Sequence, residues 1–184
     1  MQKISLNSPL KETNWYVITG GPSSGKTTTI NILKERGRTT TFETARHYLD
    51  NQLVHGKTIE DVKNNQPEFQ LGILNLQIAQ ENEMDPKTQV FLDRAIPDTL
   101  AYYYFFNIPP APLFNEAIKN VSYKKIFVLE SLPLVNDYAR DENEEAQKQL
   151  HHLIEEVYES LPFEIVHVPI MEEQARVDFI LQNL

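Results

Sequence analysis

Short apolar runs rich in strand-forming residues alternate with longer stretches of helical period along this chain. Five runs stand out: Trp15 to Thr19, Thr39 to Glu43, Gln89 to Asp93, Lys125 to Glu130 and Glu164 to Val168. Strands separated in this way by helical segments predict a parallel sheet with helices on both faces. In such a sheet, ligands gather at the carboxyl ends of the strands.

The helical segments carry their own punctuation. A helix is expected over Thr27 to Arg36, with Ile30 and Leu33 on one stripe and Gly37 as its stop. Pro67 suits the first turn of a long helix in which Phe69, Ile73 and Leu76 share one face and Leu71, Leu74 and Ile78 another, so wide burial is expected. The strongest amphipathic segment runs from Asp141 to Leu161. Ala146, Leu150, Leu153, Ile154, Val157 and Leu161 form its stripe, and Asp141 with Glu144 fits an N-terminal cap. No repeat or linker interrupts the pattern, and Ile108 to Pro112 reads as a loop, so residues 1–184 read as a single domain.

The turn between the first strand and the first helix changes the picture. Gly20-Gly21-Pro22-Ser23-Ser24-Gly25-Lys26-Thr27 fills every position of G-x-x-x-x-G-K-[ST], in the strand-to-helix context the motif needs. Its glycines let backbone N–H groups converge on phosphate oxygens, and the helix adds its positive end. Lys26 is expected to reach the β- and γ-phosphates of ATP, with Thr28 continuing the nucleotide-binding run and the Thr27 hydroxyl ligating Mg²⁺.

Three further strand ends offer chemistry. Asp93 closes the third run and is the acid expected to hold the magnesium opposite Thr27, while Arg94 beside it can clamp a phosphate or acceptor group. Asp98, four residues further, opens a helix that continues into Tyr102 and Tyr103 and is a candidate substrate-site acid; the alternative for Asp93 is a strand-end turn residue, and for Asp98 an ordinary helix-start acid. Glu43 and Arg46 follow the second run, where a carboxylate could accept the proton of an attacking hydroxyl; otherwise Glu43 is a solvated helix-start residue. Arg140, between the fourth run and the amphipathic helix, could neutralise charge during transfer from a loop folding over the phosphates, or simply pair with Asp137 or Asp141.

Composition narrows the partners. The chain of 184 residues has 17 basic and 26 acidic residues, a net charge of −9 and no cysteine. Thiolate chemistry and disulfides are excluded, a reducing, cytoplasmic setting is compatible, and a nucleic-acid partner is not expected. No apolar run approaches a membrane span, and no secretory leader is apparent. The histidines, among them His55, His151 and His152, show no metal-ligand spacing, so no transition-metal site is expected, and Tyr102 to Tyr104 read as helix packing.

With these residues in hand, the chain resembles the small P-loop ATPase/kinase-like proteins grouped as an AAA domain family, which includes the ribosylnicotinamide kinase half of a bacterial NAD regulator. The resemblance rests on Gly20 to Thr28, Phe42-Glu43-Thr44-Ala45-Arg46, Asp93-Arg94 with Asp98 and Ala101-Tyr102, Phe127 to Glu130, Arg140-Asp141-Glu142, His167-Val168-Pro169 and Glu173 to Leu181. It implies a three-layer α/β P-loop NTPase fold with a five-stranded parallel sheet in the order 2-3-1-4-5, an ATP site at the P-loop, a small lid carrying Arg140, and an acceptor cleft near Glu43, Arg46 and Asp98. The Glu43 and Asp93-Arg94 pairing also looks like that of deoxynucleoside kinases, although their Asp-Arg-Ser/Tyr is Asp93-Arg94-Ala95 here.

The leading expectation is a Mg²⁺-dependent small-molecule kinase moving the γ-phosphate of ATP to a hydroxyl acceptor. A slow ATPase or nucleotide-gated binding protein, with a protein partner or as a homodimer, is the alternative. A GTPase switch is disfavoured, since the chain has no Asn-Lys-x-Asp for guanine and no Asp-x-x-Gly after the third run.

Overall fold

Four of the five expected runs become ladder strands, and their side chains alternate between two cores. The computed structural model describes residues 3–133 and 143–184. Strands β1 (Trp15–Thr19), β2 (Val90–Asp93), β3 (Lys125–Leu129) and β4 (Ile165–Val168) are all parallel and lie in the order β2-β1-β3-β4. Every residue of β1 and β2 is buried, as befits a parallel sheet covered on both faces. Trp15 and Val17 point into one core with Leu92, Ile126 and Val128, while Tyr16 and Ile18 point into the other with Phe91, Phe127 and Leu129. The period of two along each strand produces this division.

Helices α1 (Lys26–Glu35) and α8 (Glu173–Gln182) cover the second core. The first lies beneath α4 (Gln66–Glu83), α5 (Ile96–Phe105) and α7 (Glu144–Glu159). The result is the three-layer arrangement expected of a P-loop protein. Helices α2 (Thr44–Val54), α3 (Ile59–Asn64) and α6 (Pro112–Ala117), the last followed by a 3-10 turn at Ile118–Asn120, complete the described elements. No described helix is long and apolar enough to cross a membrane.

The structure corrects the sequence reading in three places. Thr39 to Glu43 is not a fifth ladder strand, so the 2-3-1-4-5 order is not formed; the segment makes one parallel bridge, Thr40 to Phe91, at the outer edge of β2. The Thr41 hydroxyl takes the Asp93 N–H at 2.8 Å, and the chain then turns into α2 at Thr44. A side chain thus replaces the next backbone rung.

The amphipathic helix starts at Glu144, not Asp141, capped by the Asn143 carbonyl oxygen accepting from the Ala146 N–H at 2.9 Å. Asp141 itself lies outside the described residues. Finally, α4 does not bury both apolar faces. Gln70, Ile73, Leu74, Gln77 and Glu81 form its buried stripe and Leu71 is exposed. Gly72 has a packing reason within that helix: a Cβ there would meet the Tyr48 ring at 2.1 Å, so its absence lets α2 approach α4.

Candidate active site

The P-loop sits at the carboxyl end of β1, and its peptide units face in two ways. Gly20 lies at φ 139°, Ser23 at φ 53° and Gly25 at φ 79°, the alternation of hand that curls a loop into an anion nest. The carbonyls of Gly20 and Gly21 accept from Lys26 Nζ at 2.9 and 2.6 Å, and Ser24 Oγ lies 3.1 Å from the same ammonium. Lys26 is buried with its charge satisfied by the loop it serves. Thr27 and Thr28 follow in the first turn of α1 at the rim of the loop, Thr27 exposed and Thr28 half-buried.

Next to β1, β2 delivers Asp93 and Arg94 to the same end of the sheet. Both are buried, and Arg94 has a left-handed backbone, φ 64°. Arg94 Nη1 donates to Asp98 Oδ1 at 2.9 Å, and the guanidinium lies over the Tyr102 ring, 5.4 Å from its centre. Burial works against the Arg94 charge, but Tyr102, Asp98, Glu43 and Asp93 outweigh it and push its pKa above the ordinary guanidinium value.

Asp98 is a junction. Its two carboxylate oxygens accept from Thr19 Oγ1 at 2.6 Å, Arg94 Nη1, Tyr158 OH at 2.6 Å and the Ala95 N–H at 3.1 Å. One side chain therefore joins the end of β1, the turn after β2, the start of α5 and the C-terminal end of α7. The last bond also supplies the helix cap that Ala95, lacking a polar side chain, cannot. Burial, then the Asp98 charge, raises the Tyr158 hydroxyl well above its usual pKa, keeping it a donor.

A cavity of about 340 Å³ opens between this turn and α4, bounded on one side by Pro22 of the P-loop. Glu43, Arg46, Arg94 and Asp98 all line it. Glu43 stands at the start of α2 without capping it, and its carboxylate lies 3.7 Å from Arg46 Nε. The remaining walls include the aromatic rings of Phe69 and Tyr102 and the amides of Gln70 and Gln77. Thr99, which also lines the cavity, donates through Oγ1 to Gln77 Oε1 at 2.7 Å and so fixes that amide.

A profile of the AAA domain family matches residues 15–176. The chain belongs to the AAA domain family. Solved structures with the same fold include deoxyadenosine kinase from M. mycoides with bound dCTP, at 18% identity and a TM-score of 0.60 over 92% of this chain and 97% of that one. NadR protein in complex with NAD and AMP-PNP gives 18% identity and a TM-score of 0.63, over 92% of this chain and 49% of that one. NadR in complex with NR gives a TM-score of 0.60 at 18% identity, covering 92% and 51%. No curated protein sequence matches the chain. Family and P-loop together make this AAA domain an ATP-binding enzyme of the kinase or ATPase type.

The structure thus gathers the expected Glu43, Arg46, Arg94 and Asp98 around one cavity next to the P-loop, with Asp93 on the strand beside it. Arg140 lies outside the described residues. Sequence reasoning passed over three residues that touch the loop of this AAA domain. His151, set aside as uninvolved, accepts the Gly21 N–H through Nδ1 at 3.1 Å. Gln147 Nε2 donates to the Pro22 carbonyl at 2.9 Å, and Arg176 Nη1 to the Ser24 carbonyl at 3.3 Å. All three come from helices more than 120 residues further along the chain; polar positions beside the α7 stripe were the signal for Gln147 and His151, and the sequence carried none for Arg176 on α8.

Proposed function

We propose that this protein is a Mg²⁺-dependent small-molecule kinase that transfers the γ-phosphate of ATP to a hydroxyl of a nucleoside- or metabolite-type acceptor. The observation that carries the reading is the cavity of about 340 Å³ beside the P-loop, lined by Glu43, Arg46, Arg94 and Asp98. Its size falls within the range of about 300–1,000 Å³ typical of small-ligand sites, and its lining mixes aromatic rings with many polar and charged side chains, as a polar metabolite needs. An ATP sensor needs no second cavity facing the γ-phosphate.

In this reading, the nest and Lys26 hold the triphosphate, and Thr27 and Asp93 hold the magnesium, which draws charge from the β- and γ-oxygens. Arg94 steadies the transferring phosphoryl group and is itself fixed by Asp98 and Tyr102. Glu43 accepts the acceptor's hydroxyl proton, and Arg46 keeps that carboxylate turned toward the cavity. Arg140 is proposed to approach the phosphates from the segment before α7. The bound dCTP of deoxyadenosine kinase and the bound NR of NadR support a nucleoside-type acceptor.

The test is transfer of labelled γ-phosphate from ATP to members of a panel of nucleosides and other hydroxyl-bearing metabolites, with Lys26→Ala as the inactive control. A labelled acceptor, with ADP release that depends on it, is expected. ATP consumption equal with and without every acceptor would favour the slow ATPase or ATP-sensing alternative.

A further inference from the structure

The outer side of the P-loop carries a ring of hydrogen-bond donors. A trans peptide is planar, with its C=O and N–H pointing in opposite directions, so whatever holds the carbonyl of one residue also aims the N–H of the next. Gln147 Nε2 donates to the Pro22 carbonyl at 2.9 Å, which turns the Ser23 N–H to the other side. The Leu132 N–H donates to the Ser23 carbonyl at 3.0 Å and does the same for Ser24. Arg176 Nη1 donates to the Ser24 carbonyl at 3.3 Å and does it for Gly25. Three consecutive carbonyls are drawn outward by three elements distant in sequence.

The peptide before them has the opposite sense. The Gly21 N–H points outward to His151 Nδ1 at 3.1 Å, and the Gly20 carbonyl of that peptide turns inward to Lys26. Pro22, the next residue, has no N–H to place. Inward carbonyls therefore meet the lysine, and inward N–H groups begin at Ser23.

The two side chains in the ring are built for this task. Gln147 and Arg176 are both buried. The second N–H of the Gln147 amide donates to the Leu132 carbonyl at 3.0 Å, so both donors are spent on fixing the ring. Arg176 Nη2 holds the Met171 carbonyl at 3.2 Å, and among the described residues no carboxylate pairs with its charge. A buried cation without a counter-charge is costly. Gly25 makes room for it, since a Cβ there would stand 2.1 Å from Nη1.

We propose that Gln147 and Arg176 are positioning residues that preorganise the anion nest, holding the Ser23 and Gly25 N–H groups on the phosphate side before any ligand arrives. Preorganised donors need no reorientation on binding, so their benefit appears as phosphate affinity. The inference rests on the nucleotide-site reading above and adds residues that never touch the ligand.

The probe is inorganic tripolyphosphate, which has the phosphates of ATP and no nucleoside, followed by calorimetry and by backbone amide NMR of the full chain. Wild type is expected to bind it with downfield shifts of the Ser23, Ser24 and Gly25 amides. Gln147→Leu and Arg176→Met should each weaken binding about tenfold. The shift at Ser23 should be lost selectively in the first and that at Gly25 in the second. Arg176→Lys, which keeps the charge and an ammonium able to donate to the Ser24 carbonyl, should recover part of the affinity and provides the same readout if Arg176→Met does not fold. Wild-type affinity with all three shifts intact in the variants would overturn the proposal. So would equal loss of all three shifts in each variant, which is the signature of a merely structural role. Failure of the wild type to bind tripolyphosphate or ATP would instead overturn the nucleotide-site reading itself.

Discussion

Arg94 Nη1, in the turn before α5, and Asp98 Oδ1, in its first turn, stand 2.9 Å apart, and both side chains are buried at 7% and 2% exposure. Asp98 gives the buried Arg94 charge its hydrogen-bonded counter-charge at the cavity wall, and Asp98 is in turn tied to Thr19 and Tyr158. Removing the carboxylate strands a buried guanidinium. Asp98→Ala is therefore expected to destabilise the fold by about 3–5 kcal/mol. Chemical denaturation checks this; a loss below 1 kcal/mol would mean that water reaches the pair and that the junction does not hold the turn.

Glu81 sets a pH dependence far from the phosphates. Burial pushes its carboxyl up to about 7, against the lowering effect of bonds from Tyr123 OH and the Ile96 N–H. The folded protein keeps this proton between pH 4.5 and 7 while the unfolded chain releases it, so stability falls as pH rises through that window and levels off above it. Glu81→Gln keeps the acceptor oxygen and removes the titration. The variant should be more stable than wild type at pH 8 by up to about 3 kcal/mol and should lack the slope. Melting curves from pH 5 to 8 would show it, and parallel curves for the two proteins would refute it.

Asp93 closes β2 with its N–H already held by Thr41, so its side chain can be changed without unmaking the strand end. Asp93→Asn should leave ATP affinity in the absence of metal near normal while shifting the magnesium activation curve to higher concentration, because a neutral amide holds a hydrated cation less well. The assay is activity against magnesium concentration. A curve superimposable on wild type would make Asp93 a strand terminator only.

Glu43 makes no cap bond to α2, so Glu43→Gln should not loosen that helix. If it takes the acceptor's proton, the substitution lowers single-turnover transfer by roughly 10²- to 10⁴-fold with ATP affinity unchanged. A loose phosphoryl-transfer transition state places the effect at the lower end of that range. Equal rates in mutant and wild type would leave Glu43 as a solvated helix-start residue.

What the sequence determined by itself is local. β1 follows from five adjacent residues that favour strands, and the P-loop from eight positions in a row, because curling a backbone around phosphate needs glycines at fixed offsets. Gly37 ends α1 as expected, at φ 76°, since only a short-range steric rule is involved. Pro67 in the first turn of α4 is read in the same way.

Tertiary structure decided what depends on partners far along the chain. A glutamine in a helix is polar wherever it stands; Gln70, Gln77 and Gln147 are buried because a cavity, Thr99 and the P-loop carbonyls meet them there. Thr39 to Glu43 has the composition of a strand, yet at the sheet edge a single hydroxyl from Thr41 replaced its next rung. Asp98, Gln147 and Arg176 acquired their roles from contacts spanning 60 to 152 residues of sequence, and no periodicity of one segment encodes the bonding geometry of another. The pattern of apolar and polar positions fixes which face is covered, whereas the direction of an individual hydrogen bond is fixed only when both partners are in place.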